Sequence, residues 1–113
     1  MILTKYWQIH VQNMVYKVVL SNRAISDLDQ TLNYLLQNWT VKDARNFLNK
    51  LEELKDILTK NPLLFANYDM ERSIHKAVLT KHNIVFYQVD ELNKIVHIIT
   101  IFNVYQDPEK LNL

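Results

Sequence analysis

Glycine and cysteine are both absent from these 113 residues, and proline occurs only twice. Without glycine there is no Walker loop, dinucleotide fingerprint or nucleophile elbow, because each needs a residue that tolerates positive φ or lets a ligand approach the backbone closely. Turns are left to Asn, Asp and Pro. Without cysteine there is no disulfide scaffold and no thiolate metal site, and with no secretory leader in view a cytoplasmic protein is expected. No stretch approaches the roughly 20 apolar residues of a membrane span, and no membrane association is expected. An excess of one charge is missing too: 13 basic residues face 12 acidic ones for a net charge of +1. That excludes the overall basicity of most nucleic-acid binders and leaves room only for a local basic patch.

What is present fits one soluble domain. The chain is 49% hydrophobic and 22% charged, and a chain of this length should bury roughly 65% of its unfolded surface around one core. Val15 to Leu20 is β-branched and aromatic apart from Lys17, and reads as a strand burying Tyr16, Val18 and Leu20. Ser21 and Asn22 then offer capping oxygens to a helix over residues 22–38 with the stripe Ile25, Leu28, Leu32, Leu35, Leu36 and Trp39. Asn38-Trp39-Thr40 breaks it, and Thr40 with Asp43 starts a second helix over 41–60 carrying Ala44, Phe47, Leu48, Leu51, Leu54 and Leu58. Asn61-Pro62 ends that helix.

Residues 63–72 lack a period and read as a loop anchored by Leu63, Leu64 and Phe65. Three strands follow at hairpin spacing, Ile74 to Leu79, Ile84 to Val89 and Ile95 to Phe102. The last is apolar on both faces, as in a central strand or a surface reserved for a partner. The expected fold is therefore α+β, in the order strand-helix-helix-strand-strand-strand, with an antiparallel helical hairpin packed on an antiparallel sheet. Residues 14–113 form the domain. Residues 1–13, where Trp7, Ile9 and Val11 alternate with polar neighbours, are either an extra edge strand or an upstream extension.

The C-terminal third carries a resemblance. Ile74-His75-Lys76-Ala77-Val78-Leu79-Thr80-Lys81 and Val85-Phe86-Tyr87-Gln88-Val89 resemble the "IRKxVI-x-K" and "LYYRV" strands of the RelE/ParE superfamily, the toxins of bacterial type II toxin-antitoxin systems. Ile101 to Leu111, with Asp107-Pro108 inside it, is similar to the family's "xFxDNRQNPxKL" close. The likeness covers about residues 15–111. It implies a toxin, in some families plasmid-stabilising, that a cognate antitoxin neutralises. ParE-like members inhibit DNA gyrase, whereas RelE-like members cut messenger RNA inside the ribosome with arginines, lysines and a tyrosine or histidine on the sheet. The long hairpin favours the ParE-like branch.

The nuclease positions are where the chain departs from the pattern. Cleavage through the 2′-hydroxyl needs a base, cations on the pentacoordinate phosphate and an acid for the leaving oxygen. Three positions at which relatives carry arginine hold His75, Gln88 and Tyr105, so the guanidinium forks that grip a phosphate are missing. The remaining catalytic candidates are His75, Lys76, Lys81 and Tyr105, with His82 and Tyr87 nearby in sequence. Their bland alternatives are a surface strand histidine opposite a carboxylate for His75, solvated charges for the lysines, and packing beside Pro108 for Tyr105. His97 reads as a satisfied sheet histidine. No metal is expected, since His75 and His82 lie on different elements without a carboxylate at ligand spacing, and no cofactor either. The leading expectation is an interaction-type toxin acting on gyrase or another host machine. Alternatives are a ribosome-dependent endonuclease, a degenerate non-toxic relative, and a generic α+β binding module.

Overall fold

The computed structural model describes residues 15–113; the alternation around Trp7, Ile9 and Val11 lies outside them. The elements run β1 (Lys17–Leu20), α1 (Asn22–Asn38), α2 (Val41–Lys60), β2 (Ala66–Asp69), β3 (Ile74–Thr80), β4 (Asn83–Asp90) and β5 (Ile95–Asn103), followed by a short 3₁₀ turn at Pro108–Leu111. Both helices begin where their caps predict. The Ser21 hydroxyl accepts from the Ala24 N–H at 3.0 Å. At Thr40 the capping box is complete, with Thr40 Oγ1 accepting from Asp43 N–H at 3.1 Å and Asp43 Oδ2 accepting from Thr40 N–H at 3.1 Å.

The sheet has the order β1-β5-β4-β3-β2. Every pairing is antiparallel except that of β1 with β5, which is parallel, Lys17 to Leu20 running beside Ile95 to Ile98. The expected all-antiparallel sheet is thus corrected to a mixed one. The reason lies in the hairpin: two antiparallel helices return the chain close to its starting side, and β5, last of the meander, receives β1 along its free edge. A second correction concerns residues 63–72, where Ala66–Asp69 pairs with β3 as a short, exposed edge strand in place of a loop. The three meander strands each extend one residue beyond the ranges expected, at one end or both.

Five buried residues of α2, Ala44, Phe47, Leu51, Leu54 and Leu58, recur at alternating steps of three and four and face the sheet. Phe47, Leu51, Leu54 and Leu58 pack with Ala24 of α1 against Ala77, Val85, Tyr87, Val89, Val96, Ile98 and Ile101. Each large apolar side chain in this layer contributes about 1.5–3 kcal/mol of transfer free energy as an upper bound. The stripe read from sequence is wider than the core, since Ile25, Leu36, Trp39 and Leu48 are exposed. Tyr16, Val18 and Leu20 pack at its margin, as the strand reading expects.

Asp27 of α1 reaches the part of β5 that β1 leaves bare. Its Oδ2 accepts from the Ile101 N–H at 3.0 Å and from the Thr100 hydroxyl, so an otherwise open strand edge is closed by a helix side chain. Turns without glycine use two devices. Asp69 and Asp90 accept from backbone N–H groups three residues on, as expected of Asp. Ser73 and Lys94 adopt φ of 54° and 58°, a role the composition assigns to Asn and Asp. No helix among the described residues is long and apolar enough to cross a membrane.

Candidate functional site

The far end of the sheet is a compact hydrogen-bonded corner. Thr80 Oγ1 donates to Asn83 Oδ1 at 2.8 Å and accepts from the His82 N–H at 3.1 Å, which fixes the Lys81-His82 turn between β3 and β4. The His82 carbonyl accepts from Val104 N–H at 2.9 Å, and Asn103 Oδ1 accepts from Tyr105 N–H at 2.9 Å. The chain leaving β5 is therefore tied to that turn, and the His82 and Tyr105 rings lie 5.1 Å apart at 41°. His82 Nδ1 is buried without a partner among the described residues. Facing this corner is the tip of the helical hairpin. Between them opens a cleft of about 780 Å³ with Tyr34, Trp39, Asp43, Lys50 and Glu53 on the hairpin side, a size within the range of ligand pockets.

The four sequence candidates do not converge. His75 is 4% exposed, stacks on Tyr87 at 5.2 Å and 13°, and donates from Nδ1 to the Phe65 carbonyl at 3.0 Å. It sits on the helix side of the sheet, not at the surface opposite a carboxylate. Lys76, one residue on, is exposed and lies on the opposite face by strand alternation. Lys81 and Tyr105 are exposed at the far corner, Tyr105 beside His82. Gln88, the remaining arginine position, donates from Nε2 to the Arg72 carbonyl at 2.8 Å. His97 is exposed; hydrogen bonds from Asn93, and in smaller part the neighbouring His97, hold the Asp90 carboxyl below its usual range.

Tyr87 beneath His75 donates to the Pro62 carbonyl at 2.7 Å, and burial pushes its phenol up to about 12 against a partly offsetting hydrogen bond from the Phe65 backbone. No cluster of three or more His, Asp or Glu side chains suited to a metal occurs among the described residues.

Sequence reasoning missed two arginines that organise the C-terminal segment. Arg23 donates to the carbonyls of Lys110 at 2.6 Å and Asn112 at 3.1 Å, and Arg72 donates to that of Leu113 at 2.5 Å. One lies at the start of α1 and the other in the β2–β3 turn, so the segment is fastened near both margins of the sheet. The partners stand 87, 89 and 41 positions apart in sequence, and no local pattern announces them.

Comparison with known proteins fits this architecture. The chain is similar to the chromosomal ParDE toxin-antitoxin system of P. aeruginosa, with a TM-score of 0.66 and 14% identity over 80% of this chain and 98% of that one. It is also similar to the Staphylococcus aureus YoeB dimer, with a TM-score of 0.57 and 17% identity over 80% and 98% of the two chains. A third likeness is to the RelBE2 toxin-antitoxin complex of Mycobacterium tuberculosis, with a TM-score of 0.57 and 16% identity over 82% and 95%. At such identities the likeness establishes the fold, that of the RelE/ParE class. No curated protein sequence gives a significant match. The model of the ParE toxin of the type II toxin-antitoxin system parDE matches residues 18–108. The chain belongs to the ParE toxin family.

Proposed function

We propose that this toxin acts by binding proteins: a cognate antitoxin that holds it in check, and a host machine, DNA gyrase, that it blocks. The observation that carries the reading is the dispersal of the catalytic candidates. RNA cleavage needs base, cation and acid around one phosphate. Here His75 is buried with Nδ1 engaged, Lys76 lies on the other face, and Lys81 and Tyr105 stand at the end of the sheet. Gln88 is occupied by a turn carbonyl. Binding needs no such convergence.

The antitoxin half of the proposal is supported by relatives solved with partners, the RelBE2 complex and the YoeB–YefM complex of Staphylococcus aureus. Exposed Ile25, Leu36 and Leu48 on the helical hairpin supply apolar surface for such a partner. Family membership and the long hairpin favour gyrase over the ribosome. The test is induction without antitoxin, followed by a supercoiling assay with purified gyrase and primer extension on translated messages. Growth arrest, lost supercoiling and intact messages are expected. Defined cuts in the A-site codon would overturn the proposal in favour of an endonuclease, and unaffected growth would mark a degenerate relative.

A further inference from the structure

The cleft at the hairpin tip has a chemistry that gyrase or antitoxin binding in general does not specify. Trp39, Tyr34 and Tyr105 on its walls are 63%, 58% and 77% exposed. Rings this open keep large apolar faces in water, and Trp and Tyr in such settings are the residues that anchor partners. The same walls hold two carboxylates, Asp43 and Glu53, against one ammonium, Lys50, with the His82 imidazole on the sheet side. Glu53 forms no ion pair among the described residues, although Lys50 precedes it by three positions on α2. Asp43 is already engaged in capping α2, which leaves Glu53 as the free anion.

A negative balance beside π faces disfavours phosphate and favours a cation. Guanidinium answers both features at once, since it stacks flat on indole or phenol and presents an N–H fork to a carboxylate. The Asn46 and Asn49 amides on the same wall offer donors and acceptors to a peptide main chain. A volume of about 780 Å³ exceeds one side chain and suits a short segment. We infer that the cleft receives an arginine-bearing segment of a partner protein, the arginine stacked on Trp39 and paired with Glu53. This rests on the protein-binding reading and gives the partner its chemistry.

The test uses the ¹⁵N-labelled full chain, titrated with the peptide acetyl-Ala-Arg-Ala-amide and with its neutral citrulline counterpart, while the Trp39 indole N–H is followed by NMR. The arginine peptide should give a saturable shift, the citrulline peptide should bind about tenfold more weakly, and Glu53→Gln should weaken the arginine peptide roughly fivefold. Both Glu53 and Trp39 are exposed, so these variants should fold, and Trp39→Phe assigns the indole signal. Equal affinity for the two peptides, indifference to Glu53→Gln, or no saturable shift would overturn the inference. Adenosine monophosphate saturating the same resonances at lower concentration would overturn it in favour of a nucleic-acid ligand. Because the readout is binding, its failure leaves growth arrest and gyrase inhibition standing, and intact gyrase activity beside a saturable arginine shift would sink the gyrase reading alone.

Discussion

Two histidine-tyrosine pairs occupy opposite circumstances in this molecule. His75 and Tyr87 stack 5.2 Å apart in the core, and each hands a hydrogen to a backbone carbonyl of the segment after α2, Phe65 and Pro62 respectively. His82 and Tyr105 sit 5.1 Å apart at the end of the sheet, with Tyr105 77% exposed and the buried Nδ1 of His82 without a partner among the described residues. The residue types are the same, so type alone cannot assign a role. Burial and the number of satisfied polar atoms separate a pair that holds the fold from a pair available to something else.

The comparison breaks most violently in the apolar layer that holds Tyr87. Leu58 is fully buried in the same apolar cluster as Tyr87, and Leu58→Ala should cost about 3 kcal/mol, read as a lowered urea midpoint at unchanged slope. Next comes the β5 edge. Asp27→Ala strands the Ile101 N–H and the Thr100 hydroxyl, and about 2 kcal/mol should be lost because hydrogen bonds to a charged acceptor are replaced by unsatisfied donors.

Tyr87→Phe tests the pair itself. It removes the 2.7 Å bond to Pro62 and should cost about 1–2 kcal/mol near neutral pH. Its pH dependence is more diagnostic. The phenol ordinarily titrates near 10.0 but near 12 in the folded chain, so the native state holds that proton more tightly. The stabilisation is fully present below pH 10 and is lost as pH rises toward 12. Alkaline unfolding followed by circular dichroism should show this decline in the parent and a flatter profile in Tyr87→Phe.

Most of the scaffold was legible because its signals are local. Ser21, Thr40 with Asp43, and Asn61-Pro62 mark helix ends within a few residues of themselves. What escaped was non-local. The parallel partner of β1 depends on how the hairpin returns the chain, and β2 is a strand because β3 lies beside it, the alternation of Ala66-Asn67-Tyr68-Asp69 being only four residues long and mostly exposed. At the site, His75 shares its side of β3 with Ala77 and Leu79, so parity along the strand held the clue to its burial. The arginine tethers of the C-terminal segment left none.

The turns sharpen the picture in the favourable direction. Ser73 holds φ at 54° between β2 and β3, a conformation that strains a residue with a Cβ. Ser73→Gly should relieve that strain, and the larger entropy of glycine in the unfolded chain should offset part of the gain. A net increase of about 0.5 kcal/mol in unfolding free energy is expected. A loss would mean that the Ser73 side chain makes contacts beyond the backbone bonds of its carbonyl to Val89 N–H at 3.1 Å and of its N–H to the Met70 carbonyl at 3.2 Å.

The smallest effect on stability should come from the exposed pair. Tyr105→Ala removes a ring that is 77% exposed and whose hydroxyl carries no bond among those described, so its loss should change stability by no more than about 0.5 kcal/mol. Its backbone N–H keeps the bond to Asn103 Oδ1, and the corner stays closed. If the far end of the sheet is a recognition surface, the same variant should nonetheless blunt growth arrest on induction, with soluble toxin at parental levels on immunoblot. Full toxicity would confine recognition to the hairpin side of the cleft. A fall in stability comparable to that of Tyr87→Phe would mean that the two pairs differ less than their burial implies, and that the corner is a structural joint.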